Sequence, residues 1–165
     1  MGHNVSQKTI PLNIAVLTVS DTRNESNDTS GQLLVDRLKE GGHNLSDKKI
    51  VIDDIYKIRA NLSQWISDDK THVVLITGGT GFTSRDSTPE AVTPLLDKIV
   101  DGFGELFRQI SLDQIGTSTI QSRALAGMAN KTLIFCLPGS TNACRTAWDE
   151  IISSQIDSRQ GPCNF

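Results

Sequence analysis

The sequence predicts an α/β domain of three layers, α/β/α, with helices on both faces of a mostly parallel central sheet. Three observations carry that expectation. Three β-branched-rich runs, Ile14 to Val19, Val73 to Thr77 and Thr132 to Leu137, are apolar almost without interruption, the pattern of strands buried on both faces. Between them the apolar period lengthens to that of amphipathic helices. Each run ends in Ser, Asp, Gly or Pro, as βαβ units do where a strand gives way to a loop.

In chain order, residues 1–12 mix Gly, Asn, Ser and Lys around Pro11 without periodicity and read as a flexible arm. The domain proper spans 13–157 and a tail 158–165. After the first strand, a helix is predicted from Gln32 to Glu40, stopped by Gly41 and Gly42. Lys49 to Ile52 reads as a shorter strand nearer an edge. Ile58, Leu62, Trp65 and Ile66 mark the buried stripe of the next helix, and Phe103, Leu106, Phe107 and Ile110 that of a later one. Thr88-Pro89-Glu90 is a helix start, with Thr88 as cap, leading into Leu95, Leu96 and Ile99. Asp113 to Gly127 is predicted as a short helix pair or an irregular excursion. A final helix runs from Ser140 to about Ile156, with Ala143, Ala147, Trp148, Ile151 and Ile152 on one side. Trp65 and Trp148 are expected in the core.

Composition excludes several functions. Sixteen Lys and Arg against 19 Asp and Glu, for a net charge of -3, lack the basic excess of a nucleic-acid binder. The longest apolar run, Leu133 to Leu137, is far short of the ~20 residues of a membrane span. Residues 1–12 lack an apolar signal core, so the expected location is the cytoplasm. Cys136, Cys144 and Cys163 are odd in number without C-x-x-C spacing, which fits a reducing compartment. His3, His43 and His72 show no i, i+4 pairing, which speaks against a zinc site.

In open parallel sheets ligands bind beyond the carboxyl ends of the strands. Those ends are Ser20-Asp21, Thr77-Gly78-Gly79-Thr80-Gly81 and Pro138-Gly139-Ser140-Thr141-Asn142. The glycine cluster suits either a tight turn or a loop whose N–H groups hold a phosphate. No Gly-Lys-Ser/Thr follows it, so it is not a P-loop, and Ser84 stands at the third glycine position of a dinucleotide fingerprint. With Thr88 capping the helix, Asp86 is left beside the glycines as a Mg²⁺ acceptor or a general base. Asp53 and Asp54 close a strand and offer a second carboxylate. Ser140 opens the last helix, whose N-terminus favours an anion, and Ser122-Arg123 adds a hydroxyl and a cation suited to phosphate or to a surface ion pair.

In this order and spacing, Thr77-Gly78-Gly79-Thr80-Gly81, Arg85-Asp86, Thr88-Pro89-Glu90-Ala91, Ser122-Arg123 and Pro138-Gly139 resemble the MoaB/MogA molybdopterin-binding family of molybdenum cofactor biosynthesis. The resemblance runs from about Ile14 through Ile156, and the tail 161–165 looks like its MoaB branch. It implies a MoaB/MogA-like fold and a reaction of molybdopterin with Mg²⁺ and ATP that yields adenylyl-molybdopterin and pyrophosphate. It implies Gly78, Gly79 and Gly81 as the binding loop, Asp86 as a magnesium ligand and Ser122 and Pro138-Gly139 against the substrate. Asp53, placed by its interval to Ile58, is the second catalytic carboxylate, with Asp54 as fallback. The family further implies self-association to a trimer or hexamer and contact with other proteins of the pathway. Two departures stand out: Ser87 replaces the family's usual valine, and Ser140-Thr141 replaces Asn-Pro or Gln-Pro. An alternative within the family is a non-catalytic molybdopterin carrier or scaffold.

Overall fold

The computed structural model describes residues 8–160. The chain forms β1 (Asn13–Val19), α1 (Thr29–Glu40), β2 (Asn44–Val51), α2 (Ile55–Ser67), β3 (Val73–Thr77), α3 (Thr88–Val92), β4 (Lys98–Ile99), α4 (Asp101–Ile115), β5 (Leu125–Ala129), β6 (Thr132–Leu137), α5 (Thr141–Ala147) and α6 (Ser153–Gln155). The six strands make one sheet in the order β2-β1-β3-β6-β5-β4. The first four are mutually parallel, and β5 and β4 add antiparallel strands beyond β6.

The three continuous apolar runs are the central strands, and successive side chains feed opposite cores. Ile14, Val16, Val73, Leu75, Leu133 and Phe135 meet Leu34 and Leu38 of α1, Phe103 and Phe107 of α4 and Trp148 on one face. Ala15, Leu17, Val74, Ile76 and Ile134 meet Ile58, Leu62 and Trp65 of α2 and Ala91 and Val92 of α3 on the other. The three-layer expectation holds, and both tryptophans are buried.

Several boundaries differ from expectation. Segment 113–127 is neither a helix pair nor an excursion: α4 extends to Ile115, a 3₁₀ stretch covers Gly116–Gln121, and Leu125–Ala129 is β5. Its composition of Leu, Ala, Gly and Met hides a strand, and its hairpin turn uses Asn130 and Lys131 at positive φ instead of the Asn-Gly that signals such turns. The helix from Thr88 stops at Val92 because Pro94 cannot continue it, and Lys98–Ile99 pairs with β5 as β4. Helix α1 begins at Thr29, ahead of Gln32, because the buried Asp28 caps it, accepting from the Gly31 amide at 3.0 Å and the Thr18 hydroxyl at 2.8 Å. The edge strand β2 begins at Asn44, five residues ahead of Lys49. The last helix is interrupted by a π turn at Trp148–Ile152. Residues 1–7 of the arm and 161–165 of the tail, with Cys163, lie outside the described residues. Among the described residues of the arm, the Ile10 amide donates to Ser158 Oγ at 2.9 Å and the Leu12 amide to His43 Nδ1 at 3.2 Å. Among the described residues no helix is long and apolar enough to cross a membrane.

Candidate functional site

From β1 the chain moves outward to β2, then returns across β1 to place β3 on the other side, so the strand order reverses between β1 and β3. Such a reversal leaves a crevice beyond the strand ends, because the following helices depart to opposite faces. Here the crevice is a cleft of about 420 Å³. Its floor is the ends of β1 (Thr18 to Ser20), β3 (Thr77 to Gly81) and β6 (Pro138 to Ser140), and its walls are Ser30, Arg23 and the C-terminal half of α4.

The glycine loop owes its shape to close backbone approach. Gly78 and Gly79 have φ of 103° and 70°, a region that L side chains avoid. A Cβ on Gly78 would sit 2.1 Å from the Val19 carbonyl oxygen, and one on Gly79 would sit 2.3 Å from Thr88 Oγ1 and 2.6 Å from Asp53 Oδ2. Both glycines therefore present main chain to the cleft and turn their missing side chains toward protein. The Thr88 hydroxyl donates to the Gly78 carbonyl at 2.8 Å and does not cap α3, correcting the role expected for it.

Asp86 lines the cleft and is fixed, not free: its Oδ2 accepts from the Thr83 amide at 2.9 Å and hydroxyl at 2.6 Å. Burial works against its charge, but those two donors, the Gly81 amide and Arg123 outweigh it and hold the carboxyl below the ordinary value. Asp53 is buried beside Gly79, and its Oδ1 accepts from the Ser87 amide at 3.0 Å and from the Ser87 hydroxyl. Burial pushes its carboxyl up; the Ser87 donors oppose this, and the nearby charges of Asp86 and Asp21 add to it. Asp54 instead caps α2, accepting from the Tyr56 and Lys57 amides at 2.9 Å each. Of the two neighbouring aspartates, Asp53 is the one that reaches the glycine loop.

Arg123 lies behind the loop, where its Nε donates to the Gly81 carbonyl at 2.9 Å, its Nη2 to the Asp86 carbonyl at 2.8 Å, and its Nη1 pairs with Glu90. The guanidinium straps the loop from outside the cleft. Ser122 Oγ is buried without a hydrogen-bond partner and belongs to the cleft wall, an orphan that a bound ligand would satisfy. Ser140 caps α5 through the Ala143 amide at 3.1 Å, and Thr77 donates to the Pro138 carbonyl at 2.9 Å. Thr80 is buried, its carbonyl accepting from the Arg123 amide at 3.2 Å, and Ser20 Oγ accepts from the Thr22 and Arg23 amides.

Asp21 sits outside the lining, clamped by Arg85 through bonds of 2.9 and 2.8 Å, and itself accepts from the Asp53 amide at 3.0 Å. The Arg85 guanidinium, helped by that amide, lowers the Asp21 carboxyl from 3.8 to about 2. A depressed acid stabilises the fold above its unfolded value, so this contribution is present above pH 3.8 and is lost as pH falls toward 2. Carboxyl-carbon NMR should place the Asp21 midpoint near 2 in the wild type and carry it back toward 3.8 in Arg85→Gln. An unmoved midpoint would remove the clamp.

Sequence reading missed Arg23, Ser30, Phe107, Ser111 and Gln114 as cleft residues, while Asn142 of the third strand-end turn does line it. Among the described residues lining the cleft, Arg23 is the one cation and Asp86 the one carboxylate. The signal for α4 lay in its stripe, which continues from Phe107 as polar Ser111 and Gln114 at i+4 and i+7, still facing inward. Gln114 Oε1 accepts from Asn142 Nδ2 at 3.2 Å and Thr146 Oγ1 at 3.0 Å, tying α4 to the start of α5.

Comparison with known proteins agrees over nearly the whole chain. Residues 15–158 match a family described as "Probable molybdopterin binding domain". Over 161 residues the chain is 59% identical to molybdenum cofactor biosynthesis protein B of Escherichia coli (strain K12), covering 98% of this chain and 95% of that protein. A crystal structure of a molybdenum cofactor biosynthesis protein B superposes with a TM-score of 0.87 at 44% identity, over 91% of this chain and 94% of that one. The tungsten cofactor synthesizing protein MoaB from Pyrococcus furiosus does so at 0.80 and 38% identity, over 88% and 92%.

Proposed function

The chain belongs to the molybdopterin-binding family of molybdenum cofactor biosynthesis, and from that premise we propose that it binds molybdopterin in the cleft and adenylylates it with ATP. The observation that carries the reading is the convergence of the three strand-end turns on one cleft that holds Arg23, Asp86 and the unpartnered Ser122 hydroxyl.

In the proposed reaction an oxygen of molybdopterin's terminal phosphate attacks the α-phosphorus of ATP, and the bond from that phosphorus to the bridging oxygen of pyrophosphate breaks. Such transfers need positioning and charge stabilisation more than covalent help from side chains. Main-chain amides of the glycine turns and the N-terminus of α5 bind phosphate oxygens, Arg23 offsets their charge, and Ser122 supplies a hydroxyl to the substrate. Two hard oxygen donors flank the glycine loop for magnesium, Asp86 in the cleft lining and Asp53 buried behind Gly79; burial chiefly raises Asp53, and the charge of Asp86 adds to it, a repulsion that a divalent cation would relieve. Asp86 would hold the ion from the cleft and Asp53 from beside Gly79, where the ion's charge would steady the leaving pyrophosphate. Arg123 acts at one remove, by fixing the Gly81 and Asp86 main chain.

The reading places the protein in the cytoplasm as a trimer or hexamer working beside other proteins of the pathway. Its support for self-association is the run of apolar side chains left exposed on and beside α4, Ile99, Val100, Leu106, Leu112 and Ile115. Purified protein mixed with molybdopterin, ATP and Mg²⁺ should release pyrophosphate and form adenylyl-molybdopterin. Tight molybdopterin binding without product would establish the carrier in its place.

A further inference from the structure

Ser87 occupies the capping position of α3, where a serine hydroxyl ordinarily accepts from an amide of the first turn. It makes no such bond. Its hydroxyl turns the other way and donates to Asp53 Oδ1, the same oxygen that accepts from the Ser87 amide at 3.0 Å. With both donors on Oδ1, the other oxygen, Oδ2, faces the glycine loop, 2.6 Å from where a Cβ on Gly79 would stand. The Asp53 main chain is held separately, through the bond of its amide to Asp21. Backbone and carboxylate thus have separate restraints, and the hydroxyl acts on the carboxylate alone, beside the Ser87 amide. A valine at this position, as the resembling family usually has, would keep the amide donor and remove the second restraint on Oδ1, loosening the carboxylate about χ2.

We propose that Ser87 is a positioning residue of this chain, orienting the Asp53 carboxylate so that Oδ2 is presented beside Gly79 to the divalent cation that accompanies ATP. The proposal rests on the reading that Asp53 serves the metal. Groups that orient a metal-binding carboxylate from behind commonly change metal affinity by about 10- to 100-fold when removed. A capping serine with only a structural role would change helix stability and leave the metal alone.

Valine and threonine have nearly the same shape and differ in the hydroxyl, so Ser87→Val against Ser87→Thr isolates it. The readout is Mn²⁺ binding in the presence of ATP, followed by the electron paramagnetic resonance signal of the free ion, with thermal melting alongside. Ser87→Val should weaken Mn²⁺ binding by about tenfold or more while Ser87→Thr keeps wild-type affinity. Ser87→Ala, which adds no bulk, should repeat the valine result and serves if the valine variant does not fold. Wild-type affinity in the valine or alanine variant overturns the proposal, as does equal weakening in valine and threonine or a wild type that binds no Mn²⁺. Product formation by the wild type judges the adenylylation reading separately, since Mn²⁺ affinity is read without turnover.

Discussion

Asp86→Asn should leave the protein folded and molybdopterin bound while adenylyl transfer falls by about two orders of magnitude or more, the scale of losing one well-placed electrostatic contact. Asp86 is the carboxylate of the cleft lining, and its position does not depend on a ligand, because two donors of Thr83 hold Oδ2 in place. Asparagine retains the size and one acceptor oxygen, so the turn from Gly81 to Asp86 survives; only the charge is lost. The cost in stability should stay near 1 kcal/mol, that of weakening a charge-assisted hydrogen bond at a partly exposed site. Hydrogen bonds outweigh burial and hold the carboxyl below 3.8, so Asp86 is ionised throughout the neutral range, and its stabilising effect is lost only as pH falls below that value. Single-turnover product formation and a molybdopterin titration, run on both proteins, separate the two losses. Unchanged turnover with a melting point several degrees lower would make Asp86 a turn residue and take the metal away from it.

The parts of this molecule that could be read from the sequence are those whose environment is uniform. Val73 to Ile76 is buried on both faces and must therefore be apolar throughout, which is visible without any partner. Leu125 to Ala129 is held by pairing on both edges, with small residues in place of branched ones, so nothing local marks it as a strand. The three strand-end turns likewise come together on one cleft, because the direction of a parallel strand decides where its loop emerges. Which side chains those turns aim inward, that direction does not decide. Asp53 and Asp54 are adjacent and chemically identical; one lies against Gly79, while the other stands immediately before α2 and caps it. Arg123 had the right chemistry for phosphate, yet its partners Gly81 and Glu90 lie 42 and 33 residues away in sequence, and only the fold reveals that they claim its guanidinium. Arg23 was passed over within a polar loop for the opposite reason, since nothing local distinguished a cleft cation from a solvated one.

The largest loss of stability should come from adding one methyl group at Gly78. Gly78→Ala puts a Cβ 2.1 Å from the Val19 carbonyl oxygen, at a φ of 103° that alanine resists even in open space. Relief by local movement is blocked on three sides: Val19 ends a central strand, the Gly78 amide donates to the Leu137 carbonyl at 2.9 Å, and the Gly78 carbonyl accepts from Thr88 at 2.8 Å. The turn must therefore part from β1 or from β6, and either movement opens the floor of the cleft. Backbone strain of this kind, with the broken contacts that follow, should cost about 3–5 kcal/mol, or roughly 6–20 °C in melting temperature for a chain of this size. At Gly79, where φ is 70°, the obstructing atoms are side-chain oxygens, Thr88 Oγ1 and Asp53 Oδ2, whose hydrogen bonds give way at less cost than the main chain of a central strand. Gly79→Ala should consequently lose less stability than Gly78→Ala while displacing the very carboxylate that Ser87 holds. Gly102 is the control: it lies in the first turn of α4 with nothing within 4 Å of its Cβ position, so Gly102→Ala should be neutral or stabilise by up to about 0.5 kcal/mol. Denaturant titration of the three variants checks the order. If Gly78→Ala unfolded at the wild-type midpoint, the glycine turn would be free to take another path, and the close approach of β1, β3 and β6 at the cleft floor would not be what holds the site in shape.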